Sequence, residues 1–71
     1  MPLVIVQVGR RVRFVSVEAC HELQGRLAAM GLVPGVEIEV LGNSPHGPFL
    51  IAVKGSRIML GRGMAQKIVV A

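Results

Sequence analysis

The chain has 71 residues, 52 % of them hydrophobic, with a formal net charge of +4 and a single cysteine. This length allows one domain with one small core, so we expect residues 1–71 to fold as a single unit. The lone cysteine excludes an intrachain disulfide, and no apolar run reaches the roughly 20 residues that a membrane-spanning helix needs.

The N-terminal part of the chain predicts two extended segments. Residues 3–6 are apolar, and we predict a short strand or an extended edge there that packs onto the barrel. Residues 11–18 predict the first long strand, with Val12 and Phe14 pointing inward. Val15 and Val17 break the alternation, so we expect a bulge or strong curvature in the second half of this strand.

A helix is predicted to begin at Cys20 or His21. Leu23, Leu27 and Met30 follow at spacings of four and three residues, which places them on one helical face. We therefore expect these three side chains to hold the helix on the core.

The helix is followed by a stop, a turn and a strand. Gly31 suits the left-handed conformation that closes a helix, and Pro34 prevents the helix from resuming. Pro34 and Gly35 form a turn dipeptide. Apolar residues then alternate with Glu37 and Glu39 over residues 36–41, which is the pattern of a half-buried strand.

The second half of the chain predicts a series of short strands. Turn-forming residues at 42–48 separate the previous strand from one at 49–54, and a tight turn leads to another at 57–60. Residues 61–65 predict a single helical turn, and residues 67–70 a final strand. The fold class is mainly β with one inserted helix, a small SH3-like β-barrel of five to six short strands.

No set of catalytic residues is visible. The chain has no aspartate, and adjacent helical residues such as Cys20 and His21 point about 100° apart, so they do not form a nucleophile pair. We predict no enzyme activity. The basic residues are scattered and neither Tyr nor Trp is present, so we expect no nucleic-acid partner.

Metal binding is a separate hypothesis. Cys20, His21 and Glu22 are competent ligands, and His46 lies in the predicted loop at 42–48. Three consecutive side chains cannot surround one ion, so a complete site would need His46 or a second chain. The alternative is an ordinary polar helix start. No cofactor is required, while Fe(II) and Zn(II) are the ions that such ligands would take.

The segment Arg-Leu-Ala-Ala-Met-Gly-Leu-Val-Pro-Gly-Val at residues 26–36 resembles the most characteristic motif of the ferrous iron transport protein A (FeoA) family. The resemblance continues through 44–45, 47–48, 51–53, 57–65 and 67–68. It implies an SH3-like barrel and a cytoplasmic accessory role in bacterial ferrous iron uptake. It also implies a partner, the membrane iron transporter with its cytoplasmic GTP-binding domain, which the protein would bind and modulate.

The residues for partner binding are predicted from their expected exposure. Arg26, Leu32 and Val33 lie on the helix and the loop after it, while Arg57 and Arg62 would supply charge contacts. The apolar residues 3–6 would cover a partner or a second copy, which leaves a homo-oligomer open. The alternative function is a transition-metal-binding regulator or carrier that uses Cys20, His21 and His46; the family has no shared set of metal ligands.

Overall fold

A computed structural model describes all 71 residues. A 3-10 helix (Leu3–Ile5) precedes five strands and two helices, whose bounds in chain order are β1 (Arg11–Val17), α1 (His21–Ala29), β2 (Glu37–Asn43), β3 (Phe49–Val53), β4 (Ser56–Leu60), α2 (Arg62–Lys67) and β5 (Ile68–Val70). The strands form one antiparallel sheet in the order β4-β3-β2-β1-β5. The prediction of a mainly β fold with one inserted helix is confirmed. No helix is both long and apolar enough to cross a membrane.

The core consists of 16 buried residues, all of them hydrophobic, and no polar side chain is buried with them. They are Leu3, Val6, Val12, Phe14, Leu27, Leu32, Ile38, Val40, Phe49, Ile51, Val53, Ile58, Leu60, Ala65, Ile68 and Val70. Most come from alternate positions of the strands, because successive side chains of a strand point to opposite faces of the sheet. The alternation predicted for residues 36–41 is confirmed in β2, where Ile38 and Val40 are buried.

The prediction of a strand or extended edge at residues 3–6 is wrong. Leu3 and Val6 are both buried, at 0 % and 3 % exposure. Residues three apart point to opposite faces of a strand but to the same side of a helical turn. Burying both side chains therefore favours the 3-10 helix, which the Val6 N–H closes by donating to the Leu3 carbonyl at 3.0 Å.

The first two residues add to the sheet in place of that strand. Pro2 forms an isolated antiparallel bridge with Val69. The Met1 ammonium group donates to the Val70 carbonyl at 2.9 Å, and the Val70 N–H donates to the Met1 carbonyl at 2.7 Å. Residues 1–2 consequently cover the outer edge of β5.

The irregularity predicted in β1 is confirmed. The register with β5 shifts between Phe14 and Ser16, which leaves Val15 unpaired. Strand β1 pairs with β2 through its first half and with β5 through its second half. A bulge bends a strand, and here the bend lies where β1 passes from one partner strand to the other, so it curves the sheet.

The apolar face predicted for α1 is only partly correct. Leu27 is buried at 3 % exposure and Leu23 is half-buried, but Met30 is 45 % exposed. Met30 is the C-terminal cap, so it lies just beyond the regular helix. Gly31 then adopts a φ of +98°, as predicted for a helix stop. The Leu32 N–H donates to the Leu27 carbonyl at 2.9 Å, which ties the chain after the helix back to its last turn.

Candidate functional site

An apolar groove lies between β1, α1 and the loop that follows α1. It has a volume of about 230 Å³, and six of its nine lining residues are hydrophobic. Val15 and Val33 line it and are 45 % and 37 % exposed. The groove therefore presents apolar surface from two different parts of the chain to solvent.

Local features of the sequence produce this groove. The bulge in β1 leaves Val15 on the surface, and the small side chain of Ala28 leaves room on the helix. Gln24 holds α1 against the end of β1, because its Nε2 donates to the Val17 carbonyl at 3.4 Å and to the Ala19 carbonyl at 2.9 Å. Gly35 donates its N–H to the Phe14 carbonyl at 2.8 Å, which fixes the other end of the loop to β1.

The predicted contact residues Val33 and Leu32 differ in exposure. Val33 is exposed in the groove as expected. Leu32 was expected to be an exposed contact, but its side chain is only 2 % exposed and belongs to the core. The turn closed by Gly31 directs Leu32 inward, so it supports the groove from below and its side chain is not a free contact.

Two of the predicted arginines, Arg26 and Arg57, are exposed and lie outside the groove. Arg26 lies on α1 and its Nη2 is 3.8 Å from Glu22 Oε1. Ion pairs this exposed contribute little to stability, so Arg26 is free to exchange its partner. Arg57 lies on β4, three strands away from β1 in the sheet, and is outside the groove.

Arg62 is not the free charge that was expected. Its Nη1 donates to Asn43 Oδ1 at 2.8 Å and to the Ser44 carbonyl at 2.7 Å. Asn43 in turn donates from Nδ2 to the carbonyls of Val4 and Val6, both at 3.1 Å. These bonds join α2, the end of β2 and the N-terminal segment, so the structure gives Arg62 a role in folding. The sequence contained no local signal for Asn43.

The predicted metal ligands are not brought together within one chain. Cys20 is the N-terminal cap of α1 and His21 is its first residue, and both are exposed. His46 is exposed in the loop between β2 and β3. No group of three or more His, Cys, Asp or Glu side chains could hold an ion. A complete site would therefore need ligands from a second chain.

A second concave surface lies on the outer face of the sheet and is charged. It has a volume of about 460 Å³, and its lining includes Arg11, Glu37, Glu39 and Lys54. Arg11 Nε lies 3.8 Å from Glu39 Oε1. Because charges of both signs alternate on this surface and partly pair with one another, it has no marked preference for a ligand of one charge.

The sequence motif, the barrel and the placement of the helix agree with one known family. The FeoA domain matches residues 1–71, which is the whole chain. The chain belongs to the FeoA family. This FeoA protein therefore has relatives involved in ferrous iron transport, and the family is not a known family of enzymes.

Individual relatives are similar over nearly the full length. This FeoA protein is 40 % identical over 70 residues to a protein of Methanocaldococcus jannaschii that carries the name Fe(2+) transport protein A, covering 97 % of this chain and 83 % of the relative. A crystal structure of an FeoA described as an iron uptake regulatory protein has 36 % identity and a TM-score of 0.89, with 99 % of this chain and 93 % of that chain covered.

A third relative is informative about both the fold and metal binding. The FeoA of Stenotrophomonas maltophilia was solved in complex with zinc and is described as an SH3 domain protein. It has 26 % identity and a TM-score of 0.85, and the match covers 100 % of this chain and 89 % of that one. The SH3-like fold expected for this FeoA protein is thereby confirmed.

Proposed function

We propose that this protein is an accessory module of ferrous iron uptake that binds the cytoplasmic domain of the membrane iron transporter and modulates it. The observation that carries the proposal is the apolar groove between β1 and α1, with Val15 and Val33 exposed in it. Its volume of about 230 Å³ is below the range of about 300–1,000 Å³ usual for small-molecule sites. The groove suits one or two apolar side chains of a protein partner.

The surroundings of the groove support the same kind of partner. Protein interfaces commonly place an apolar anchor in a desolvated pocket and surround it with polar groups. Val33 would contact such an anchor. Arg26 lines a separate concavity with Cys20, Glu22 and Leu23, so it would contact acidic groups of a partner that extends around α1. Arg57 lies outside the groove and would contact only a partner that extends across the sheet.

The contact with the transporter is tested by titrating this protein into the purified cytoplasmic GTP-binding domain. We expect wild-type protein to bind and the Val33→Glu variant to bind at least about tenfold more weakly, because an unpaired charge in an apolar contact is costly. Val8→Glu is the matched control, since Val8 is 57 % exposed and does not line the groove; its affinity should equal that of the wild type.

Two results would contradict the proposal. One is the absence of binding by wild-type protein at high micromolar concentration. The other is equal affinity of the Val33→Glu and wild-type proteins, which would place the contact on another surface.

A second candidate function is that of a transition-metal-binding regulator or carrier. The supporting observation is the zinc complex of the Stenotrophomonas maltophilia relative. In this chain Cys20 and His21 are adjacent and exposed at the start of α1. Thiolate and imidazole are suitable ligands for Zn(II), and His46 of another copy would be needed to add a further ligand.

This candidate predicts metal-dependent association. We expect calorimetric titration with Zn(II) or Fe(II) to show binding together with a shift towards a larger species in gel filtration. The double variant Cys20→Ala/His21→Ala should lose both effects, while Glu37→Gln, at an exposed position of β2, should retain them. If the double variant binds metal as the wild type does, the site does not use these residues.

A further inference from the structure

The sheet has two edges, and only one of them is covered. Residues 1–2 add to the outer side of β5 through the bridge of Pro2 with Val69. Strand β4 is the other edge, and it pairs only with β3. An uncovered edge strand presents backbone N–H and C=O groups that another strand can bind.

The turn before β4 determines which of its backbone groups are free. Lys54 and Gly55 have φ values of 49° and 81°, as in the two-residue type I′ turn of a β-hairpin. Such a turn is closed by a hydrogen-bonded pair, which here is Val53 with Ser56. Hydrogen-bonded and non-hydrogen-bonded pairs alternate along an antiparallel ladder, so Ile58 also directs its backbone groups towards β3.

Arg57 and Met59 consequently direct their backbone groups away from the sheet. Neither residue takes part in any turn, loop or side-chain hydrogen bond elsewhere in the chain. The free edge of β4 therefore offers two N–H donors and two C=O acceptors, placed symmetrically on either side of Ile58.

This edge also lacks most of the features that usually block strand pairing. Proline, bulges and charged side chains are the common protective devices. The register of β4 with β3 is uninterrupted, the strand contains no proline, and Arg57 is its single charged residue. Met59 is 68 % exposed, the largest value among the exposed large hydrophobic residues. Ile58 and Leu60, at 8 % and 6 %, are the most exposed members of the core.

We propose that β4 pairs antiparallel with β4 of a second copy of this chain, about a two-fold axis at Ile58. In this register the Arg57 N–H donates to the Met59 carbonyl of the other copy, and the Arg57 carbonyl accepts from the Met59 N–H of that copy. The two-fold axis produces the same two hydrogen bonds on its other side. Both free positions are then satisfied in both copies. The two sheets become continuous across the interface.

The side chains favour a second copy as the occupant. Ile58 of each copy forms the central non-hydrogen-bonded pair, where side chains approach most closely, and the contact covers the remaining exposure of these core residues. On the outer face Arg57 lies beside Met59 of the other copy, so its aliphatic stem covers the exposed thioether while its charge stays in solvent. The same surface thus complements itself, as a two-fold interface requires.

The pairing is tested by sedimentation and by amide hydrogen exchange over a range of protein concentrations. We expect the mass to rise from the 7.6 kDa of one chain towards twice that value. The amides of Arg57 and Met59 should become protected as the dimer forms. The Ile58 amide, which bonds to β3, should be protected at every concentration.

Met59→Pro and Met59→Thr are the matched variants. Proline at an outward-facing edge position removes no hydrogen bond to β3 but eliminates the donor to the other copy. We expect it to raise the dimer dissociation constant about ten- to a hundredfold, because one hydrogen bond is lost on each side of the axis. Threonine keeps the N–H and suits a strand, so it should retain the dimer.

The proposal is overturned if wild-type protein stays monomeric at millimolar concentration with the Arg57 and Met59 amides unprotected. A dimer dissociation constant that is the same for Met59→Pro as for the wild type would also overturn it. Protection that appears only after addition of the transporter domain would assign the edge to a partner strand instead of a second copy. Val33→Glu should leave dimerisation unchanged, so the outcome is independent of the function proposed for the groove.

Discussion

Replacing Leu27 by alanine is expected to destabilise the protein by about 2–5 kcal/mol, the usual cost of removing a buried leucine side chain. A domain of 71 residues has a total stability of only about 4–11 kcal/mol by the usual range per residue. Leu27 is the one buried residue of α1. The variant should therefore unfold at a much lower urea concentration, which circular dichroism measures directly.

The reason for so large an effect is the weakness of α1 in other respects. Gly25 lies within the helix and lowers helix stability by about 1 kcal/mol relative to alanine. Cys20 makes no side-chain capping hydrogen bond at the N-terminus. The helix therefore depends on its contact with the core, and the groove that α1 lines should be lost along with it.

Met30→Ala is the matched control for Leu27→Ala. Sequence spacing places both residues on one helical face, but Met30 is 45 % exposed. Surface substitutions of this kind usually change stability by about 0.5 kcal/mol or less. An equal loss of stability in the two variants would mean that α1 is not held by Leu27 in particular.

Leu27 and Met30 show which features of α1 could be predicted from the sequence. Periodicity indicated the helix, and Gly31 indicated where it ends, because both signals are local in the chain. The same was true of the alternating strands, the turn at Gly35 and the bulge in β1. These features account for the fold class and for the part of the groove formed by Val33.

The features that sequence could not predict depend on distant contacts. Apolar residues at 3–6 fit either a strand or a turn, and the choice was decided by the burial of both Leu3 and Val6. The exposure of Val15 contributes to the groove only because the bulge and α1 place it beside Val33. Arg62 bonds to Asn43, 19 positions earlier, and Asn43 bonds to Val4, 39 positions earlier. No local pattern indicates such pairs.

The network around Asn43 leads to the second large effect. Asn43→Ala removes three hydrogen bonds, two to the carbonyls of Val4 and Val6 and one from Arg62. A net value of about 0.5–1.5 kcal/mol for each bond gives an expected destabilisation of about 1.5–4.5 kcal/mol. The N-terminal segment should also loosen, which amide exchange at residues 3–6 would detect.

A double-mutant cycle separates this network from a general loss of packing. Arg62→Ala removes the bonds to Asn43 and to the Ser44 carbonyl but leaves those from Asn43 to the N-terminal segment. Because the two side chains are in contact, we expect the double variant to be less destabilised than the sum of the single variants by about 0.5–3 kcal/mol. Strictly additive free energies of unfolding would mean that the 2.8 Å bond between Arg62 and Asn43 contributes nothing. Arg62 would then be available for the charge contact that its sequence position suggests.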